Sequence, residues 1–225
     1  MSITLAFDVY GTLIDTSGVI TDLKGLVGER AAPLSEAWRS KQLEYSFRRG
    51  LMKNYRDFSV CTRQALDHAC ATLQVDLPAE AKEELLAGYR SLPAFPDVEK
   101  SLPELKRGGF RLFAFSNGLA ADVRQLLDNA GIAGWFEDIV SCDEIASFKP
   151  DPAVYAHFLK RCRATNAEAW MISANPFDVI GAVSAGMRSA WVRRSPGAVF
   201  DPWEIEPTAT VSDLSGLRPA IAEPE

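Results

Sequence analysis

The sequence predicts an α/β fold: a parallel sheet flanked by helices and interrupted after its first strand by an all-helical block. Three observations predict it. An apolar run at residues 3–7 ends in a carboxylate, Asp8, with a glycine turn at Gly11. Helical periodicity then fills the stretch from Asp15 to Leu92 with no convincing strand. From Pro93 onward, apolar runs alternate with helical segments, the pattern of parallel strands joined by right-handed crossovers.

The opening strand presents Asp8 at its carboxyl end, where ligands gather in open α/β sheets. Helices are expected at 18–30, at 34–51 after the break at Pro33, at 54–73 and at 79–89. Residues 92–97 form a proline-rich return. Asp97 is then expected to cap a helix that runs to Lys106 and stops at Gly108 and Gly109. A strand at 110–115 leads into Ser116-Asn117-Gly118, and a helix at 120–130 is stopped by Gly131. A short strand at 138–141 precedes Lys149-Pro150 and a helix at 151–163. A strand at 169–172 ends in Ser173-Ala174-Asn175, followed by a helix at 177–185 and a strand at 188–192. The tail from Ser195, rich in proline and small residues, is expected to be a loop with a short final helix. The expected division is a core of residues 1–15 and 93–225 and a helical domain of residues 16–92.

Composition narrows the function classes. With 47% apolar and 24% charged residues among 225, the chain reads as an ordinary globule. The net charge of -6 argues against a general nucleic-acid binder. No run of about 18 apolar residues is present, so no membrane span is expected. The N-terminus lacks the pattern of a signal peptide. Cys61, Cys70, Cys142 and Cys162 show no CxxC spacing and read as reduced packing residues of a cytoplasmic protein. His68 and His157 are far apart, and no HExxH or Cys/His cluster predicts a metal site.

Three apolar strands end in small or acidic polar residues: Asp8, then Ser116 and Asn117, then Ser173 and Asn175. Parallel strands align their ends on one edge, so these groups are expected to face one crevice. Lys149 stands at the mouth of another crossover, and Asp178 one turn into the helix after Asn175. Taken singly, each has a plain explanation: a turn residue, a first-turn acid favoured by the helix dipole, a surface lysine. Their joint placement points to a site.

Asp8-Val9-Tyr10-Gly11-Thr12-Leu13, Ser116-Asn117-Gly118, Lys149-Pro150 and Asp178 resemble the four motifs of the haloacid dehalogenase superfamily. The resemblance implies a Rossmann-like core with an inserted helical cap. Most members are phosphatases carrying DxDGT, in which the second aspartate is a general acid and late acidic residues hold magnesium. Here Tyr10 takes the acid's place, and Ser173 stands where many phosphatases have an acid. Phosphoryl transfer needs a cation on the phosphate oxygens and an acid for the leaving alkoxide. This site instead suits a leaving group that is already a stable anion. The resemblance narrows to the (S)-2-haloacid dehalogenases, with DxYGTL, the cap segment Trp38-Arg39-Ser40-Lys41-Gln42-Leu43-Glu44-Tyr45, and a late SxNxxD motif at Ser173, Asn175 and Asp178. One departure is Phe177, where the family often has tryptophan.

The resemblance implies a metal-independent enzyme with no cofactor, a 2-haloacid substrate and a homodimer. Asp8 would attack C2 and form an ester, which water hydrolyses. Lys149 would keep Asp8 ionised. Asp178 would activate water, oriented with Ser173 and Asn175. Thr12 and Ser116 would position Asp8 or donate to its oxygens. Arg39 and Asn117 would stabilise the halide, with Phe177 as an apolar wall, and Ser116 would also meet the substrate carboxylate. Tyr155 is counted with the catalytic set and, beside Tyr10, Gln42, Leu43 and Phe58, as a wall of the apolar side. The rival readings are a magnesium-dependent phosphatase or phosphomutase of the same superfamily, and a non-catalytic binding protein on this scaffold.

Overall fold

The computed structural model describes residues 2–222; residues 1 and 223–225 of the expected core lie outside the described residues. Strand β1 (Thr4–Phe7) is buried along its whole length. Its side chains alternate between two apolar clusters. Leu5 and Phe7 join one, while Ala6 enters the other with Phe113, Phe115 and Met171. That two-sided burial explains why the strand reads as a continuous apolar run.

After β1 come four helices, α1 (Gly18–Val27), α2 (Ala31–Leu51), α3 (Phe58–Thr72) and α4 (Ala79–Gly88). The chain leaves and re-enters the sheet layer side by side. Ile14 bridges Ala94, Asp15 N donates to Pro93 O at 2.8 Å, and Phe95 N donates to Leu13 O at 2.9 Å. Pro33, expected to break the chain, lies inside the first turn of α2. A first-turn nitrogen has no intrahelical partner, so proline costs nothing there. Helix α3 starts later than expected because Asp57 caps it, accepting from Ser59 N and Val60 N.

The remaining elements are α5 (Val98–Arg107), β2 (Arg111–Ser116), α6 (Ala120–Asn129), β3 (Asp138–Ser141), α7 (Pro152–Cys162), β4 (Ala169–Ser173), α8 (Pro176–Ser184), β5 (Arg188–Val192), β6 (Ala209–Val211) and α9 (Leu217–Ala222). The strands form one parallel sheet in the order β3-β2-β1-β4-β5-β6. Strand β6 corrects the expected loop. It has three residues, too few for a period to show, and it pairs with β5 through Ala190 and Ala209.

Asp97 precedes α5 as expected but does not cap it. Its carboxylate accepts instead from Arg194 at 2.7 Å and from Leu214 N at 2.8 Å. Arg194 also donates to Thr12 O and lies over the Phe95 ring at 4.1 Å. A charged partner outbids two backbone amides, and the result ties the loop after β1 to the C-terminal segment.

Among the described residues no helix is long and apolar enough to cross a membrane. The four cysteines are buried free thiols, and burial pushes Cys142 and Cys162 up to about 12, which keeps them protonated.

Register brings the strand ends together. Phe7 is paired with Ala114 on one side and Ile172 on the other. Successive strands run outward in opposite directions from β1 and β4, so Asp8 sits at the switch point. Behind it, α7 and α8 pack at Gly181. A Cβ there would come 2.5 Å from the Tyr155 hydroxyl and 2.7 Å from Pro150 Cβ. Gly181→Ala is expected to lower stability in urea unfolding by about 1–3 kcal/mol, the usual cost of overpacking a filled core.

Candidate active site

The site grows from the end of β1. Asp8 N continues the ladder to Ile172 O at 2.9 Å. Gly11, at φ 82°, turns the chain in a conformation that favours glycine. The turn folds Thr12 back, and its hydroxyl donates to Asp8 Oδ2 at 2.8 Å. The Thr12 oxygen is itself fixed by Ala174 N at 2.9 Å. Asn175 Nδ2 is the second donor to Asp8 Oδ2, also at 2.8 Å. The other oxygen, Oδ1, faces Lys149 Nζ at 3.4 Å. The Asp8 side chain is 13% exposed, whereas Lys149 and Asp178 are sealed at 1% and 0%.

Lys149 Nζ donates to Asp178 Oδ2 at 2.8 Å and to Phe115 O, one residue before the end of β2, at 2.9 Å. It also lies 4.3 Å over the Phe115 ring. Burial opposes its charge, but the adjacent Asp178 and Asp8 carboxylates outweigh burial, and its pKa is raised. Asp178 Oδ1 accepts from the Tyr155 hydroxyl at 2.9 Å. Burial raises the Asp178 pKa; Lys149 draws it back only in part, because one ammonium serves two carboxylates. Asp178 therefore holds its proton more tightly than an ordinary aspartate.

Helix α2 contributes Arg39 and Gln42, three residues apart on one face. Arg39 donates to Gln42 Oε1 at 2.8 Å and to Asn175 Oδ1 at 3.4 Å. Gln42 Nε2 donates to Thr62 Oγ1 at 2.7 Å. A cavity of about 210 Å³ opens beside this layer, with Tyr10, Arg39, Gln42 and Phe58 among its walls. Leu86, Tyr89 and Leu119 continue it outward to the ion pairs Arg63–Glu83 and Arg90–Asp122. Burial pushes the Tyr10 hydroxyl well above the usual phenol range, so it stays neutral and is a poor proton donor.

Asp8, Thr12, Arg39, Lys149, Tyr155, Asn175 and Asp178 thus form one connected hydrogen-bond network. Ser116, Asn117 and Ser173 sit at the same edge but are bonded to backbone: Ser116 Oγ accepts from Gly118 N, Asn117 Oδ1 from Lys149 N, and Ser173 Oγ from Asn175 N. Phe177 is half-buried and meets Phe47 of α2 edge-on at 5.1 Å. One expected wall needs correction. Tyr155 lies fully buried beneath Asp178, because its hydroxyl has a carboxylate partner inside the core. Gln42 lines the cavity and braces Arg39 with its amide oxygen, and Leu43, half-buried, follows it on α2.

Two residues that brace the site, Thr62 and Arg194, are not among those expected from the sequence. Thr62 sits one turn into α3 with no local signal, and only the packing of α3 on α2 brings it to Gln42. Arg194 follows the apolar run of β5, the same strand-end signal that picked out Asp8 and Asn175.

This geometry defines a class: an α/β enzyme core with a donor-held carboxylate at its switch point and a helical insertion over it. The family model for haloacid dehalogenase-like hydrolases matches residues 4–186, and the chain belongs to that family. It is 33% identical to the (S)-2-haloacid dehalogenase of Pseudomonas sp. (strain YL), with 97% of each chain covered. It is 32% identical to haloacetate dehalogenase H-2 of Moraxella sp. (strain B), again over 97% of each. The L-2-haloacid dehalogenase of Xanthobacter autotrophicus with chloropropionic acid covalently bound superposes with a TM-score of 0.91 at 29% identity, covering 99% of both chains.

Lys149→Met leaves two adjoining carboxylates without their cation. At neutral pH it is expected to cost about 3–5 kcal/mol, the usual loss on breaking a buried pair. The sign with pH is set by Asp178. Its folded pKa, already raised, rises further in the variant, so its charged form destabilises above that pKa and protonation relieves it. Urea unfolding is expected to show the gap to wild type narrowing as pH falls from 8 to 5; a constant gap contradicts this.

Proposed function

We propose that this chain hydrolyses (S)-2-haloalkanoates to (R)-2-hydroxyalkanoates through an ester on Asp8, without a metal ion. The observation that carries the reading is the division of labour between the two Asp8 oxygens. Oδ2 accepts two hydrogen bonds at 2.8 Å, while Oδ1 has one long contact to Lys149. Oδ1 is therefore the nucleophile. It attacks C2 in line, the carbon–halogen bond breaks, and halide leaves with the electron pair and with inversion at C2.

The ester then has Oδ2 as its carbonyl oxygen, already facing the Thr12 hydroxyl and Asn175 amide. Those donors suit the oxyanion that forms when water attacks the carbonyl carbon. Asp178 takes the water proton, and its raised pKa makes it a better base than an ordinary aspartate. The intermediate collapses by releasing the Oδ1 alkoxide, which recovers that proton, and the second proton of the water passes from the Asp8 carboxyl to solvent as the net proton of the reaction. Lys149 sets a cation beside the attacking Asp8 oxygen and holds Asp178 in place for hydrolysis. Arg39 and Asn117 stabilise the departing halide, and Phe177 forms an apolar wall beside it. Ser116 and neighbouring backbone amides receive the substrate carboxylate, while Ser173 steadies the Asn175 backbone.

Residues 16–92 act as the cap that brings Arg39 over the core, and the enzyme works as a cytoplasmic homodimer. A phosphatase reading needs an acid for the leaving group, and Tyr10, held neutral by burial, is a poor one.

Chloride release from (S)-2-chloropropanoate is expected, with (R)-2-hydroxypropanoate as product and no effect of a chelator. Magnesium-dependent release of phosphate from an aryl phosphate, with no chloride release, contradicts the reading and favours the phosphatase. Asp8→Asn is expected to abolish turnover. Asp178→Asn is expected to release one halide per site and then stall, with the ester visible as added protein mass. In the wild type, ester hydrolysis is expected to fail on acidification above the ordinary carboxylate range of about 4, because Asp178 must be ionised to accept a proton.

A further inference from the structure

We propose that Thr62 is a positioning residue for Arg39, acting through Gln42; this rests on the role given to Arg39 above. Thr62 lines the cavity beside Gln42, and its hydrogen bonds go to Gln42, Phe58 and Trp38, none of which is assigned to the chemistry. It lies one turn into α3, buried at 7% exposure, and its backbone is braced against α2 by Trp38 Nε1, which donates to Thr62 O at 2.8 Å. Its side chain governs which way round a buried amide points.

A hydroxyl has one proton to give. Thr62 gives it to Phe58 O at 2.8 Å, a carbonyl that only accepts. Toward Gln42 the hydroxyl therefore presents lone pairs alone. Gln42, at 2% exposure, must turn its amide nitrogen to Thr62, and its carbonyl then faces outward. The Arg39 guanidinium, which only donates, meets that carbonyl at 2.8 Å. Its other arm reaches Asn175 Oδ1, and Asn175 in turn donates to Asp8 Oδ2.

Every link in this chain works in one direction. Flipping the Gln42 amide would set its carbonyl against an oxygen and its nitrogen against a guanidinium. The amide orientation is thus fixed at both ends, and the guanidinium is anchored to the α3 backbone through two buried side chains. Removing the Thr62 hydroxyl leaves the Gln42 amide nitrogen buried without a partner, a cost that turning the side chain relieves. Arg39 then loses its brace and its place over Asn175.

The test compares Thr62→Val, which keeps the shape and removes the hydroxyl, with Thr62→Ser, which keeps the hydroxyl. Rapid quenching with (S)-2-chloropropanoate separates halide release from ester hydrolysis. Thr62→Val is expected to slow halide release about tenfold or more and ester hydrolysis by clearly less, because Thr12 still donates to Asp8 Oδ2 and the Asn175 amide is still held by Tyr10 O. Thr62→Ser is expected to restore halide release. Crystal structures of both variants read Arg39 directly, with the guanidinium against Asn175 in Thr62→Ser and displaced in Thr62→Val. Equal slowing of both steps, failure of Thr62→Ser to restore, or an undisplaced guanidinium in Thr62→Val overturns the inference. A wild type that releases no halide contradicts the proposed function instead, and the guanidinium position in the two variants still decides this point.

Discussion

The Lys149 ammonium, sealed between the carboxylates of Asp8 and Asp178, is the interaction on which the rest of the site depends. An uncompensated charge in this position would be very costly. Each neighbour offsets part of that cost: two carboxylates, the Phe115 carbonyl in β2 and the face of the Phe115 ring. The arrangement also leaves the two carboxylates unequal. Asp178 has the closer contact and a tyrosine hydroxyl as well, and it is fully enclosed. Asp8 has the longer contact and is partly open. One cation shared unevenly gives the site a nucleophile on its open side and a base on its closed side.

A second constraint is directional. Arg39 only donates, and the amides of Gln42 and Asn175 both turn their oxygens toward it. Asn175 is thereby left with its nitrogen pointing at Asp8. The helical insertion thus does more than cover the sheet edge, because the orientation of a donor to the nucleophile is set partly from α2. The parallel sheet supplies the other half of that precision. Its register holds the ends of β1, β2 and β4 level, so side chains from distant parts of the sequence meet within hydrogen-bonding distance.

Much of this was legible in the sequence because strand ends and turns carry local signals. The apolar run into Asp8, the small polar residues after β2 and β4, and the Gly11 turn each mark an element boundary, and the site is made of such boundaries. The strands at 138–141 and 188–192 were likewise legible from their apolar runs. What was not legible depends on packing between helices. Thr62 reaches Gln42 only because α3 lies on α2, and nothing in its neighbourhood of sequence says so. Tyr155 looked like a pocket wall because aromatics at helical spacing fit both a wall and a core; its hydroxyl, bonded to Asp178, places it in the core. Asp97 has the sequence of a helix cap, but a guanidinium from just beyond β5 competes for its carboxylate. Strand β6 was too short to show a period.

The central claim is that a carboxylate oxygen of Asp8, and not water, forms the new bond to carbon. A single turnover in heavy-oxygen water, with enzyme in excess over (S)-2-chloropropanoate, tests it directly. Unlabelled 2-hydroxypropanoate is expected, with one heavy oxygen in the peptide that contains Asp8. Heavy oxygen in the product of that first turnover, with Asp8 unlabelled, would contradict it.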